Sequence, residues 1–290
     1  MRHVLRFDLG MRAPVWLATL ALAGALATAA QGASPPTRSE TASAGQVRAT
    51  IVYSIPSGKA YFEAQLTIDR AGRRVLDARV PECSAIRYCG TRPVALHGGK
   101  VIAVTDLDHD GEPEILIDLF SGGVHCCWWS RLYRWDAAAR RYVTFARLWG
   151  NLTYRLADLD RDGHGDFVSA DDRFAYTFTS FARSSFPLQI WTYRAGRLSD
   201  STREHPALVA RDARKQWRWY RRGIAAGEVR GFLAAWAADR CLLGQCKAAF
   251  ARLRRLSPTF SDPTDVAHSG SAAAYLRQLR SFLRRTGYWR

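Results

Sequence analysis

The chain has 290 residues, 48% hydrophobic and 12% aromatic, enough apolar material for one sizeable core or two modest ones, which excludes an intrinsically disordered chain. A formal charge of +16 favours anionic partners such as acidic cell-wall glycans or lipid head groups, with nucleic acid less favoured. Arginine used simply as the solubilising residue explains the same balance.

The first segment carries Arg2, Arg6 and Arg12, then an apolar run from Val15 to Leu26, then small residues from Ala27 to Ser34. This order reads as a secretory signal peptide over residues 1–33, cleaved near Ala29. A membrane anchor is the competing reading, but the apolar run is shorter than the roughly 20 residues a bilayer span needs. No other stretch is apolar enough to span, so the expectation is a mature chain without a transmembrane segment, secreted or held in the cell envelope. Residues 34–45, rich in Ser, Thr and Pro, read as a flexible spacer.

Residues 46–204 read as a β-repeat domain. Alternation predicts strands over 48–55 and 60–68, a turn at 69–72 and a return strand over 73–80. A second hairpin follows over 130–135 and 142–149, and a third over 186–193 and 197–202. All three have an aromatic-rich strand, a short turn and a return strand that starts with a basic residue, as copies of one unit would. Residues 205–290 change to helical spacing, over 206–222, 228–243, 247–256 and 271–285. In the last of these Tyr275, Leu276, Leu279, Phe282 and Leu283 share one face. The expected fold class is α+β: antiparallel β-sheet repeats, as a partial propeller or an open sheet, followed by a helical region packed on them.

Six cysteines in an exported chain suggest three disulfides. Cys241 and Cys246 are expected to pair across Gly244, where an unbroken helix would hold them out of reach. Cys83 and Cys89 can each meet one of Cys126 and Cys127, or the latter two can join directly.

The strongest local signal occurs twice. Residues 106–114 read DLDHDGEPE and residues 158–166 read DLDRDGHGD, both D-x-D-x-D-G-x-x-acid. Calcium takes six to eight hard oxygen ligands, and acids at alternate positions of a curling chain deliver carboxylates to one centre, with glycine at position six permitting the turn. The candidate ligands are Asp106, Asp108, Asp110, the Glu112 carbonyl and Glu114 in one loop. In the other they are Asp158, Asp160, Asp162, the His164 carbonyl and Asp166. An EF-hand needs an acid at position twelve, where this chain has Ile117 and Ser169, and helical flanks, where it has apolar β-branched runs. A pair of Asx-turns without an ion is the bland alternative.

Strand, acidic loop and strand in this order resemble the calcium loops of FG-GAP or VCBS repeat proteins, the family of the integrin α-chain propellers. The resemblance covers residues 100–170, and by hairpin similarity 47–201. It implies one structural calcium per loop, with ligands at positions one, three, five, seven and nine. No FG or GAP segment is present, and three repeats are too few to close a ring of four or more blades, so an open sheet covered by the helices is the preferred form.

Other signals are weaker. His125 beside Cys126 and Cys127 suggests a soft-metal site, against which a disulfide-pinned loop is preferred. Residues 214–222 (RKQWRWYRR) suit an anionic or sugar-bearing polymer, but a helix face packed on the sheet explains the same letters. No G-x-S-x-G, H-E-x-x-H or P-loop is present. The expected function is a non-catalytic calcium-binding module with an anionic envelope polymer, glycan or extracellular protein as partner, and the alternative is an extracellular hydrolase of envelope polymers.

Overall fold

Period-two patterning builds the first sheet. Along β2 (Val47–Ser54) the side chains of Val47, Ala49, Ile51 and Tyr53 are buried while Arg48 and Val52 are exposed, and β3 (Ala64–Arg70) buries Ala64, Leu66 and Ile68 in the same way. In this computed structural model the described residues are 36–54, 64–81, 92–95, 99–122, 125, 127–223, 229–256 and 270–290. The leader expected over residues 1–33 lies outside them, as do Cys83, Cys89 and Cys126.

With β1 (Thr37–Ala44) and β4 (Arg73–Arg79), the first sheet is four antiparallel strands in chain order. The second sheet has five: β5 (Arg92–Pro93), β6 (Ile102–Thr105), β7 (Glu114–Phe120), β8 (Trp128–Asp136) and β9 (Arg141–Gly150), with β5 and β6 both pairing β7. The third is again four strands in order: β10 (Arg155–Ala157), β11 (Asp166–Ala170), β12 (Leu188–Arg194) and β13 (Arg197–Asp200). The three hairpins read from the sequence are the last two strands of each sheet, and the return strands start at Arg73, Arg141 and Arg197.

Two expectations change. Among the described residues the strands form three separate sheets, neither one open sheet nor a closed ring. Residues 34–45 are not a spacer throughout, because Thr37–Ala44 pairs with β2 from Thr37↔Ser54 to Ala44↔Val47. The backbone ladder holds this strand, helped by Thr41 to Thr50 at 2.8 Å and Tyr53 donating to Glu40 at 3.1 Å.

The sheets are joined through β7, whose alternating sides feed two cores. Ile115, Ile117 and Leu119 pack with Ile51, Leu66 and Ile68 of the first sheet. Leu116 packs with Leu132, Phe167 and Tyr193 towards the third. Both faces being covered accounts for a run of six buried residues instead of alternation.

The helices form a third core. α1 (Pro206–Gly223), α2 (Arg230–Leu242), α3 (Cys246–Leu256) and α4 (Ala272–Arg285) bury Val229, Leu233, Leu253, Leu279 and Leu283 among others. The sheets' contribution comes from the segment between β11 and β12, which supplies Phe174 and Phe178. Gly231 of α2 lies against this segment, and a Cβ there would fall far inside van der Waals contact with the Arg183 carbonyl. Gly231→Ala is therefore expected to cost about 1–3 kcal/mol, read as a lowered thermal midpoint; an unchanged midpoint would mean the 181–183 turn yields freely.

Candidate metal site in two acidic loops

The two loops occupy equivalent places. Residues 106–113 join β6 to β7, and residues 158–165 join β10 to β11. In the first sheet this connection is a tight turn at Gly45 and Gln46. Each loop curls through left-handed residues, His109 (φ 55°) and Gly111 (φ 89°) in one, Arg161 (φ 62°) and Gly163 (φ 88°) in the other. Such angles favour glycine, which is why position six is Gly twice.

The internal hydrogen bonds match one for one. Asp106 accepts from the amides of Asp110 (3.2 Å) and Gly111 (3.0 Å), and Asp158 from those of Asp162 (3.1 Å) and Gly163 (3.2 Å). Glu114 accepts from the Leu107 amide at 3.0 Å, and Asp166 from the Leu159 amide at 2.9 Å. Carboxylates at positions one and nine thus pin the loop from both ends.

Three of the expected side chains converge in each loop. Asp106, Asp108 and Glu114 each bring an oxygen within 4.8 Å of the others, and so do Asp158, Asp160 and Asp166. The position-nine acids are the buried members, Glu114 at 3% exposure and Asp166 at 1%. Among the described residues no other group of three His, Cys, Asp or Glu is this close.

Position five behaves differently. Asp110 accepts from the Glu112 amide at 2.8 Å, and Asp162 accepts from the His164 amide at 2.9 Å, so these acids cap the turn and stand apart from the three-acid groups. Asp162 is also held by Arg194 at 2.8 Å, and the His164 amide together with this guanidinium keeps its carboxyl well below the usual range. At position seven the expected ligand is the carbonyl, and the side chains are used elsewhere. Glu112 pairs with Arg70 at 2.5 Å, while His164 faces Asp162 at 3.1 Å.

Strand β12 and the turn that follows it complete the surroundings with residues that sequence reasoning missed. Tyr193 donates to Glu114 at 3.2 Å, and Thr192 donates to Asp166 at 2.5 Å. The only signal for Thr192 is its register opposite Asp166, which sequence does not print. The Gly196 amide donates to Asp108 Oδ2 at 3.2 Å, whereas Asp108 Oδ1 is buried with no hydrogen-bond partner. Burial pushes the Glu114 carboxyl up to about 8, with Asp108 and Asp110 adding and the Leu107 amide and Tyr193 hydroxyl opposing. The loops also touch: the Gly165 amide donates to the Leu107 carbonyl at 2.6 Å, and His109 lies against Gly163.

The remaining candidates resolve otherwise. His125 has ring contacts with Phe181 (4.7 Å) and Tyr176 (6.1 Å), and Cys127 is disulfide-bonded. Cys241 and Cys246 pair as expected, with Gly244 at φ 74° ending the helix between them. Trp217 of the RKQWRWYRR run packs on Trp236 of α2 at 4.9 Å, not on a sheet, and Trp219 is exposed.

Known proteins resemble parts of this chain. Residues 209–287 match the family model described as the sll0997 C-terminal domain. That span takes in most of α1 and all of α2, α3 and α4. A protein of Synechocystis sp. named probable thylakoid lumen protein sll0997 is 25% identical over 230 residues, 68% of this chain and 61% of that protein. The uncharacterized protein y4bJ of Sinorhizobium fredii is 33% identical over 142 residues, 48% of this chain and 22% of that protein. The chain thus spans less than two thirds of the length of either relative. No solved structure matches it.

Proposed function

We propose that the chain is an exported, non-catalytic calcium-binding protein whose acidic loops each hold one ion at a strand junction, serving as a binding or structural module of an envelope or lumenal compartment. The observation that carries this reading is the repeated convergence of three carboxylates within 4.8 Å. Three such groups without a cation repel one another, and the orphaned Asp108 oxygen is a donor atom in want of a partner. Oxygen-only donors from Asp and Glu suit a hard cation. Asp106, Asp108 and Glu114 would hold one ion and Asp158, Asp160 and Asp166 the other, the Glu112 and His164 carbonyls serving as further oxygens. The likeness to FG-GAP repeats supports a structural ion. The lumenal name of the Synechocystis relative supports export, and no helix among the described residues is long and apolar enough to cross a membrane.

Calorimetric titration tests the reading. Two calcium ions per chain are expected, and absence of heat with a metal-free sample would overturn it. Proton and calcium compete for Glu114. Burial pushes its folded, metal-free carboxyl up to about 8 against an ordinary 4.5, so the protonated form stabilises the fold at low pH, and that contribution falls away as pH rises from about 4.5 to about 8. The rise in melting temperature on adding calcium is therefore expected to be larger at pH 8.5 than at pH 5.5. Equal rises would show that no proton on Glu114 competes with the ion over this range.

The basic surface supports an anionic envelope partner. Sedimentation with purified cell wall is expected to weaken as salt screens the charges; salt-independent sedimentation would argue against it.

A further inference from the structure

The positive charge is concentrated in the helices. Residues 209–287 hold sixteen Lys and Arg against five Asp and Glu, a net +11 of the chain's +16. Between α1, α2 and α3 lies a groove of about 690 Å³, lined by Arg214, Arg218, Arg240, Arg252 and Arg255, with no acidic residue in its wall. Its volume is in the range of small-ligand sites, ~300–1,000 Å³.

Five features make this more than a solvated face. All five cations are arginine, whose planar fork recognises phosphate in a bidentate manner where lysine is only a point charge. Arg252 lies over the Trp217 ring at 4.1 Å, a contact that uses the guanidinium face and leaves its in-plane N–H donors for another partner. Arg240 has a buried Nε without a hydrogen-bond partner. The nearby acids lie outside its wall: Asp212 is held by Lys215 and Gln216, and Asp239 is fully buried among the helices. The rest of the wall is mainly alanine and tryptophan, which leaves the concavity open.

We propose that this groove binds phosphate-bearing polyanions, either a lipid head group or a soluble phosphorylated molecule. It rests on the anionic-partner reading, which it gives a place and a chemistry, and is independent of the calcium reading.

Fructose 1,6-bisphosphate is the first probe, titrated calorimetrically at low ionic strength. Saturable binding is expected. Arg214→Gln with Arg252→Gln should weaken it about tenfold or more, while Arg48→Gln with Arg141→Gln, exposed strand positions that remove the same charge, should change it less than about twofold. If the first pair fails to fold, Arg218→Gln with Arg255→Gln, both exposed, replaces it. Equal losses in groove and control pairs would sink the groove and leave a diffuse basic surface; no binding in any form would overturn both. Vesicles of phosphatidylcholine with phosphatidylglycerol, against phosphatidylcholine alone, decide the source. Sedimentation with the anionic vesicles, displaced by the bisphosphate, assigns a head group; bisphosphate binding without vesicle binding assigns a soluble ligand.

Discussion

Chelation is expected to lower the melting temperature by about 5–10 °C for each loop emptied, and added calcium to restore it. A ligand present at a hundred times its dissociation constant contributes about 2.7 kcal/mol to the folded state. In a domain of this size each kcal/mol moves the midpoint by roughly 2–4 °C. Asp108→Ala combined with Asp160→Ala should reproduce the chelated melting curve, because it removes one converging carboxylate from each group. It should also make the protein indifferent to further chelator. A wild-type curve unmoved by EDTA, measured by differential scanning calorimetry, would leave the loops as ion-free turns.

Phe174→Ala is expected to be the most damaging single substitution away from the loops. Phe174 is 2% exposed and meets Phe282 at 4.9 Å, Tyr288 at 5.7 Å and Phe178 at 5.9 Å. Truncating a buried phenylalanine typically costs about 3–5 kcal/mol, or roughly 6–20 °C in the midpoint. The ring comes from the segment between β11 and β12 and yet belongs to the helical core. The substitution therefore reads whether helices and sheets melt together. A second, lower transition in the variant is expected if the segment is the main tie between them, while a wild-type midpoint would show that the cavity is refilled by its neighbours.

Sequence and structure agree most where a side-chain period reports burial. Strands β2 and β3 alternate buried and less buried positions because one face is covered, and α4 buries Tyr275, Leu279, Phe282 and Leu283 as its spacing predicts. The acidic loops were legible because the left-handed turn needs glycine at one fixed position and the carboxylates recur around it. Strand β1 was hidden for the opposite reason: its side chains are mostly exposed, so Ser and Thr suffice and the composition resembles a linker. The segment after β11 was hidden because its aromatic residues sit in short 3-10 turns with no long period. Tyr193 and Thr192 were invisible as loop partners, since a register between strands fixes their positions. At position five, Asp110 and Asp162 each accept one amide of their own turn, from Glu112 and His164, a local bond that the motif spacing alone does not reveal.

The hairpin turn at residues 195–196 touches more than its own sheet. Its Gly196 amide reaches Asp108, the preceding Arg194 holds Asp162, and Tyr193 one residue earlier meets Glu114. A single short ribbon therefore braces both acidic turns. Ordering one turn around a cation stiffens the support of the other, so uptake at the two positions should be cooperative, with an isotherm steeper than that of independent equivalents.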